Sequence, residues 1–499
     1  MELTFFKTTQ GKDAVKVNGS PMHSLYNPEL EAQRFVESIA VPFKPAAIII
    51  TGPCLSYSAD FLRKKFPYAK LIAVQFSSAF SKYDFLWDKV FLSEEKNLSE
   101  KIFDSLGDEI LMSTFFISWK ASERVFFDEY KRVWQELKTL LLKSRNLLNT
   151  KSHFSKKWFI NTIRFSLFSK TYAYYKKADC PLVICASGPS LSSSIDFLKK
   201  YRDKYFLIAL SSSLKVLTQN KIIPDFCLST DGGFWAKKHL YSSLTKYPQI
   251  PLALPGEAAC PGLLLENNII FPLAYDDAFE KYFYPPLGIK AFSAQSNGSV
   301  SGTAAILSLS LTDDKIFFCG LDLSSSIAFQ HSQPNELEEF DSTFDFALST
   351  KENRIVSRMI NSQALDIYHS WFNAEKFGGK IFRLSNNYNY KNTLSDIKDV
   401  NFDYFKNHIS KSKCIKCPLE ITENREPLLR RIEIVKSILQ ENKNNSEWIK
   451  KLFPVEGLLL KRALNQDEKI KMQKDLNEKI KFFFENIYSK LQKSAESLK

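Results

Sequence analysis

A small-residue turn stands between an apolar run and a helical pattern in the stretch 180–200. The apolar run 182–186 is followed directly by the residues Ser187, Gly188, Pro189 and Ser190. Gly188 lets the backbone approach a ligand closely, and Ser190 or Ser192 can cap the helix that follows. Backbone amides at a helix start carry partial positive charge, which suits a phosphate group. The stretch is therefore a candidate phosphate site, and a plain strand-to-helix turn is the alternative.

The next two apolar runs also end in polar residues. The run YFLIAL ends at Ser211, Ser212 and Ser213, and FCLST leads into Asp231 and two glycines. In open α/β sheets, ligands bind at the carboxyl ends of the strands, so these residues would share one edge. An acid before two glycines suits a ribose hydroxyl, a base edge or a metal ion. A simple Asp turn is the alternative for Asp231.

A second candidate phosphate site lies at Asn297, Gly298, Ser299 and Ser301, which precede a small-residue helical pattern. The strand-like run KIFFC that follows ends at Gly320, with Asp322 directly after it. Nine residues further on, His331 stands in a polar loop on the predicted ligand side. Histidine titrates near neutral pH and is the commonest general base, so His331 is a candidate catalytic residue. An incidental loop histidine is the alternative.

Two segments repeat the order strand, Gly-Pro turn, helix, strand, at 45–76 and 181–212. Both are typical of βαβ units, and they predict an α/β protein with two Rossmann-like, doubly wound and mostly parallel sheets. Helical patterns dominate 120–178, and the chain after about 425 is charged and helical, with no strand signal after 400. We predict an N-terminal Rossmann-like domain, a helical connector, a central ligand-binding α/β domain and a C-terminal helical domain at 1–120, 121–178, 179–400 and 401–499.

Composition places the chain among ordinary globular proteins. Its 499 residues are too many for a single hydrophobic core, which predicts more than one domain. Of these residues, 44% are hydrophobic and 25% are charged. The net charge of +13 would suit phosphorylated ligands, nucleic acid or acidic membranes, but the basic residues are spread along the chain and indicate no nucleic-acid partner. No apolar run is long enough for a transmembrane segment and no signal peptide is evident, which favours a cytoplasmic protein. Among eight cysteines, Cys414 and Cys417 make the lone C-x-x-C, so no metal site is expected.

Five stretches of this sequence, taken in their order along the chain, resemble the central domain of the bacterial motility accessory factors. They are ICASGPSL, LIALSSSLKVL, IPDFCLSTD, GSVSGTAA and IFFCGLDL, with His331 after the last. These are flagellin-modifying proteins related to the archaeal 6-hydroxymethyl-dihydropterin pyrophosphokinases. HSLYNPELEAQRFVESI at 23–39 is similar to that family's N-terminal segment, and HFSKKWFINTIRFSL at 153–167 to its helix before the central domain. The resemblance covers roughly 20–400.

The central domain is also similar to bacterial sialyltransferases that use CMP-sialic acid. The resemblance implies that the G-P-S-L turn contacts the nucleotide, that the start of the small-residue helix holds phosphate, that Asp322 lies by the ribose and base, and that His331 is the general base. Asp231 matches the acid of the family's PD…D stretch. The nucleotide-binding residues predicted in this way, together with their neighbours at the strand ends, are Ser187, Gly188, Pro189, Ser190, Ser212, Asp231, Asn297, Gly298, Ser299, Ser301, Gly320 and Asp322.

The implied function is transfer of a pseudaminic- or legionaminic-type sugar from a CMP-activated donor to Ser or Thr hydroxyls of flagellin, without a metal or other cofactor. The chain departs from the pattern in three places. Ser187 stands where the family often has Gly or Asn, and Ser324–Ser326 and Phe329 stand where sialyltransferases carry tyrosines. The turn at Gly52 in the first domain does not begin a G-x-G-x-x-G motif. The first domain is therefore not expected to bind a cofactor of its own. Two alternatives stay open: a Mg²⁺-dependent pyrophosphokinase with Asp231 and Asp322 as metal ligands, and a non-catalytic flagellin-binding scaffold.

Overall fold

The computed structural model of the chain describes residues 2–175, 177–323, 331–344, 363–385, 393–409, 419–423 and 426–498. The chain divides into two compact units. The first comprises Met1–Ser155 with Lys443–Ile487, and the second comprises Lys156–Asn442 with Tyr488–Lys499. Within the described residues, no helix is both long and apolar enough to cross a membrane.

The first unit is built on a small parallel sheet preceded by an antiparallel one. The antiparallel strands are β1 (Leu3–Lys7), β2 (Asp13–Val17) and β3 (Ser20–Pro21), and helix α1 (Pro28–Glu37) follows. The parallel strands are β4 (Ala47–Thr51), β5 (Lys70–Gln75), β6 (Lys89–Leu92) and β7 (Thr114–Ser118), in the order β6-β5-β4-β7. Their connecting helices are α2 (Ser58–Lys65), α3 (Leu98–Leu111) and α4 (Lys120–Val125). Every residue of β4 is buried, as expected for a parallel strand covered on both faces.

Helix α5 (Phe127–Phe168) continues for 42 residues, and the division between the two units falls inside it. The sequence placed a helical connector at 121–178, and this helix accounts for most of that segment. The helical pattern is unbroken through residue 155, so nothing in the sequence marks the point at which contacts pass from one unit to the other.

The second unit is organised around one large sheet. Its strands are β8 (Thr171–Tyr175), β9 (Leu182–Cys185), β10 (Phe206–Leu210), β11 (Phe226–Leu228), β12 (Leu252–Pro255), β13 (Ile269–Tyr275), β14 (Phe292–Ala294), β15 (Ile316–Cys319), β16 (Ile381–Leu384), β17 (Lys398–Val400) and β18 (Leu419–Glu423). In the described part of the chain the order is β17-β16-β15-β9-β10-β11-β12-β13-β8-β18, with β14 paired to β13. All pairs are parallel except β18 with β8.

Helices flank this sheet and supply the second layer of the core. They are α6 (Leu191–Lys200), α7 (Leu214–Gln219), α8 (Phe234–Leu244), α9 (Gly262–Asn267), α10 (Glu280–Phe283), α11 (Val300–Leu311), α12 (Glu336–Phe344), α13 (Gln363–Ala374), α14 (Phe402–Ile409) and α15 (Leu428–Asn442). Apolar side chains from α11 and from the central strands form one buried cluster, including Ile184, Ile208, Ala304 and Phe318. The prediction of two Rossmann-like α/β domains is confirmed by these two parallel sheets.

Three further helices end the chain: α16 (Ser446–Leu452), α17 (Pro454–Arg462) and α18 (Gln466–Glu496). The predicted C-terminal helical region is therefore present. The prediction of no strand after residue 400 is wrong, because β18 pairs along its full length with β8. Its sequence LEITE is short and half polar, which suits a partly solvated edge strand and gives a weak sequence signal.

The order of the large sheet creates a switch point between β9 and β15. The chain moves from β9 through β10, β11 and β12 in one direction, and α11 then carries it back to β15 on the other side of β9. In an open α/β sheet, ligands bind at the carboxyl ends of the strands at such a switch point, and we call this position beside β9 and β15 the crevice.

Candidate active site

The turn after β9 touches the turn after β15 at Gly188. A Cβ atom on Gly188 would lie 2.5 Å from the Gly320 carbonyl oxygen and 2.6 Å from Cγ of Asp322. The Gly188 amide donates a 2.8 Å hydrogen bond to that same carbonyl. Gly320 has φ of +74°, and a Cβ there would lie 2.4 Å from the Ala186 carbonyl oxygen. Both glycines are thus needed for the two loops to meet.

Asp322 fastens the start of α6. One carboxylate oxygen accepts a 2.9 Å hydrogen bond from the Ser190 backbone amide, and the other accepts one from the Ser190 hydroxyl. Both residues are buried, with Asp322 only 3% exposed. The sequence assigned the Ser190 amide to a ligand phosphate and Asp322 to a ribose. In the structure, the carboxylate of Asp322 takes this amide instead, so the pair ties the β9 and β15 loops together.

A hydrogen-bond chain leads from the end of β10 to His331. The Ser212 hydroxyl donates to the Ser187 hydroxyl over 2.8 Å, and Ser187 bonds with Nδ1 of His331 over 2.8 Å. The three side chains come from three separate segments, and Ser187 is buried while the imidazole is half-buried. Ser187, which departs from the family pattern, therefore holds the histidine ring in one orientation.

The segment that carries the histidine is fixed to the same loops by its backbone neighbours. The Ser332 amide donates to the Ser187 carbonyl over 2.7 Å, and its hydroxyl donates to the Gly188 carbonyl over 2.6 Å. The Asn335 side-chain amide donates to the Ser212 carbonyl over 3.2 Å. The position of the imidazole is consequently set by the loops that also form the crevice.

Helix α12 is anchored immediately after this segment by a buried carboxylate. Glu336 is 2.6 Å from Nδ1 of His239 and also accepts a hydrogen bond from the Ser242 hydroxyl, both on α8. Burial alone would raise the pKa of Glu336, but these hydrogen bonds and the nearby imidazole lower it. The ionised carboxylate therefore locks α12 onto α8.

Asp231 lies on the same edge of the sheet but apart from the histidine. It is exposed, and one carboxylate oxygen accepts a 2.8 Å hydrogen bond from the Gly233 amide at the start of α8. Burial raises the pKa of Tyr368 on α13, and the charge of Asp231 raises it further, so the phenol and carboxylate are neighbours. Asp231 has its predicted location, next to an aromatic side chain that the sequence did not point to.

The start of α11 shows the features of an anion site. Ser299 caps the helix, because its hydroxyl accepts a 3.0 Å hydrogen bond from the Gly302 amide, and Gly298 has φ of +72°. The Nδ2 atom of Asn297 is buried and has no hydrogen-bond partner among the described residues. Trp371 of α13 covers this turn, at 3.0 Å from the position of a Cβ on Gly302. An orphaned amide donor beside a capped helix start favours an anionic ligand.

The thirteen predicted site residues fall into three groups along one edge. Ser187, Gly188, Pro189, Ser190, Ser212, Gly320, Asp322 and His331 surround the crevice, Asp231 stands at the end of β11, and Asn297, Gly298, Ser299 and Ser301 begin α11. Burial raises the pKa of Tyr275, and the nearby hydroxyls of Thr303 and Thr230 oppose that rise, so this phenol lies between the last two groups. The sequence analysis did not predict Ser332, Asn335, Tyr368 or Trp371. Ser332 and Asn335 lie in the polar run HSQPN, which was a signal for them, whereas Tyr368 and Trp371 lie in an ordinary helical pattern. The residues at 324–326, Phe329, Cys414 and Cys417 lie outside the described residues.

The two carboxylates of the pyrophosphokinase alternative do not come together. Asp322 follows β15 and Asp231 follows β11, and β9 and β10 lie between them. Three strand spacings amount to about 14 Å, too far for one shared Mg²⁺ ion. Within the described residues there is no cluster of three His, Cys, Asp or Glu side chains that could hold a metal ion.

The corresponding turn of the first unit, after β4, is filled by the protein itself. A Cβ on Gly52 would lie 2.6 Å from Cβ of Ser122 and 2.7 Å from the ring of Phe76. The Ser122 hydroxyl donates a 2.5 Å hydrogen bond to the Gly52 carbonyl. Side chains of this unit therefore occupy the space in which a dinucleotide would approach a Rossmann turn.

Comparison with known proteins identifies the central domain and the fold. Residues 157–328 match the family model described as 6-hydroxymethylpterin diphosphokinase MptE-like. Two uncharacterized proteins of Treponema pallidum (strain Nichols) are similar in sequence. One is 27% identical over 320 residues, covering 63% of this chain and 69% of the relative; the other is 24% identical over 225 residues, covering 43% and 38%.

A solved structure has a similar fold over nearly the whole chain. It is the MAf glycosyltransferase from Magnetospirillum magneticum AMB-1, with a TM-score of 0.54 and 11% identity, covering 98% of this chain and 92% of that one. The chain thus combines the Maf fold with an MptE-like central domain, as the resemblance in the sequence implied.

Proposed function

We propose that the protein is a glycosyltransferase of the Maf type. Its donor is a CMP-activated nonulosonic acid of the pseudaminic or legionaminic type, and its acceptor is a Ser or Thr hydroxyl of flagellin. The observation that carries the proposal is the hydrogen-bond chain from Ser212 through Ser187 to His331 at the mouth of the switch-point crevice. The Maf fold supports the reaction class, and the sialyltransferase-like stretches of the sequence support the donor.

His331 is the general base of this scheme. The acceptor oxygen forms a bond to the anomeric carbon while the bond from that carbon to the phosphate oxygen breaks. CMP leaves with the electron pair, and the acceptor proton passes to the imidazole. Because Nδ1 is held by Ser187, the proton goes to Nε2, and Nδ1–H donates to the Ser187 oxygen in this tautomer. No cofactor takes part in these steps.

The donor phosphate is assigned to the start of α11 rather than to Ser190. The Ser190 amide already bonds with Asp322, and the negative carboxylate would repel a phosphate there. The turn 297–301 offers instead the dipole of a 12-residue helix and the Nδ2 donor of Asn297, which has no partner in the part of the chain that the structure describes. Charge that develops on the leaving phosphate is stabilised at this helix end.

Titration calorimetry with CMP, in the presence and absence of EDTA, tests the proposal. CMP binding that survives EDTA is expected. His331→Ala should keep CMP binding and lose transfer to flagellin by about 100- to 10,000-fold, measured by the intact mass of flagellin. His153→Ala, at an exposed histidine of the first unit, is the matched control and should keep both. Full transfer by His331→Ala would refute the assignment of the base.

The match to a diphosphokinase family model favours one second candidate, a Mg²⁺-dependent pyrophosphokinase. ATP binding that requires Mg²⁺, together with no binding of CMP, would support that enzyme in place of the glycosyltransferase. Binding of neither nucleotide would leave a flagellin-binding scaffold as the remaining function.

A further inference from the structure

Two basic side chains lie at the carboxyl ends of β11 and β12, beyond the nucleotide crevice. Helix α5 passes these strand ends: Asn161 donates a 2.9 Å hydrogen bond to the Glu257 carbonyl, three residues before Arg164 on the same helix. The guanidinium of Arg164 lies 3.4 Å from the position of a Cβ on Gly262, at the start of α9. Arg164 is therefore held against the loop that follows β12.

Lys237 lies on the first turn of α8, and the loop after β12 is joined to the residues before this helix, because the Ala259 amide donates a 2.9 Å hydrogen bond to the Asp231 carbonyl. Burial lowers the pKa of Lys237, and the positive charge of Arg164 lowers it further. Both cations also act on the Cys260 thiol, whose pKa burial raises to about 12 while Arg164 and Lys237 oppose that rise. Cys260 is 3% exposed and uncharged at neutral pH, so the two cations converge on a neutral group.

Neither cation makes an ion pair with a described residue. In the described ranges of the chain, Arg164 and Lys237 make no ion pair and no hydrogen bond with another side chain or the backbone. Other half-buried cations of the same unit are paired, as Arg202 is with Asp225 at 2.7 Å. Two like charges that share a partly buried position repel each other, and a bound anion would relieve that repulsion.

We propose that Arg164 and Lys237 form a subsite for an oxyanion of the substrate, namely the carboxylate of an acidic sugar. The inference rests on the proposed function, in which the start of α11 already takes the donor phosphate and leaves the carboxylate as the second negative group. The planar guanidinium of Arg164 matches a carboxylate through two parallel hydrogen bonds, and Lys237 adds a point charge. Both residues stand at the ligand edge of the sheet, because Lys237 lies on the helix that follows β11 and Arg164 lies against the loop that follows β12.

The test compares three probes on the full chain by titration calorimetry: CMP, CMP-N-acetylneuraminate and free N-acetylneuraminate. Arg164→Gln and Lys237→Gln remove the two charges. Lys238→Gln is the matched control, because it removes the same type of side chain one position along α8, where Lys238 is exposed and lies over the Phe234 ring at 5.5 Å. We expect both test variants to bind the CMP-sugar about 10- to 100-fold more weakly, with CMP affinity unchanged, and the control to match wild type.

Several outcomes would overturn the subsite. Equal weakening for CMP and CMP-sugar would place the two residues at the nucleotide phosphate, and unchanged CMP-sugar affinity would show that no carboxylate binds there. If the wild type binds neither nucleotide, the proposed function fails. The subsite is then tested independently, by titration with free N-acetylneuraminate and, separately, with inorganic phosphate. Binding of N-acetylneuraminate that is lost in Arg164→Gln would support the carboxylate subsite. Binding of phosphate but not of N-acetylneuraminate, or binding that neither substitution weakens, would refute it. If Arg164→Gln does not fold, the same titrations with Lys237→Gln test the subsite.

Discussion

Substitution Gly188→Ala probes the contact on which the crevice is built. The added Cβ would lie 2.5 Å from the Gly320 carbonyl oxygen and 2.6 Å from Cγ of Asp322, far inside van der Waals contact. Neither neighbour can retreat easily, because the carbonyl accepts the Gly188 amide and the carboxylate is bonded twice to Ser190. Overpacking of this kind costs about 1–3 kcal/mol of unfolding free energy. The loops must also separate, so the proposed CMP binding should weaken as well.

Urea unfolding and CMP titration measure the two effects. Gly457→Ala is the control, since a Cβ there meets nothing within 4 Å and the residue lies inside α17. The same added methyl group should stabilise that helix by about 0.5–1 kcal/mol and leave CMP affinity unchanged. A Gly188→Ala protein as stable as wild type, with normal CMP affinity, would refute the idea that close contact between the β9 and β15 loops forms the site.

Two other predictions concern buried ionisable side chains. Burial lowers the pKa of His23 to about 3, so the folded state binds fewer protons than the unfolded state, whose histidine titrates near 6.5. The free energy of unfolding should be constant above about pH 6.5 and fall by about 1.4 kcal/mol per pH unit as the pH drops toward 3. Urea unfolding at pH 7, 6 and 5 should show a smaller slope for His23→Gln, and equal slopes in the two proteins would contradict the prediction. Arg383 has a fully buried side chain paired with Asp399, which is 37% exposed. Asp399→Asn removes the carboxylate that pairs with the buried guanidinium and should cost about 3 kcal/mol. Arg383→Met should cost less, because the remaining carboxylate of Asp399 is partly exposed to water; the reverse order of thermal stabilities would be evidence against this asymmetry.

Local signals in the sequence were sufficient to locate the strand ends. The apolar run 182–186 and its Gly-Pro turn predicted β9 and the start of α6, and the small-residue pattern after Ser301 predicted α11. These features depend on neighbours a few residues apart, so periodicity and turn residues report them directly. The placement of polar residues after strands followed from the same reasoning.

Partners distant in sequence could not be predicted. Nothing within 187–190 indicates that Ser190 would bond with Asp322, 132 residues away, rather than with a ligand. Tyr368 and Trp371 of α13 look like ordinary helix residues until the fold places them by Asp231 and Gly302. Arg164 likewise gains meaning only where Lys237 approaches it. Side-chain pairing of this kind is a tertiary property and leaves no local pattern.

The bond between Asp322 and Ser190 has a kinetic consequence. Because the carboxylate fastens the two loops by both of its oxygens, the crevice is preorganised before any ligand arrives. A ligand that bound between these two loops would lose its own freedom of motion but would order little of either loop, which preserves affinity. Association with these two loops would then be a single encounter, with a rate set by diffusion and orientation.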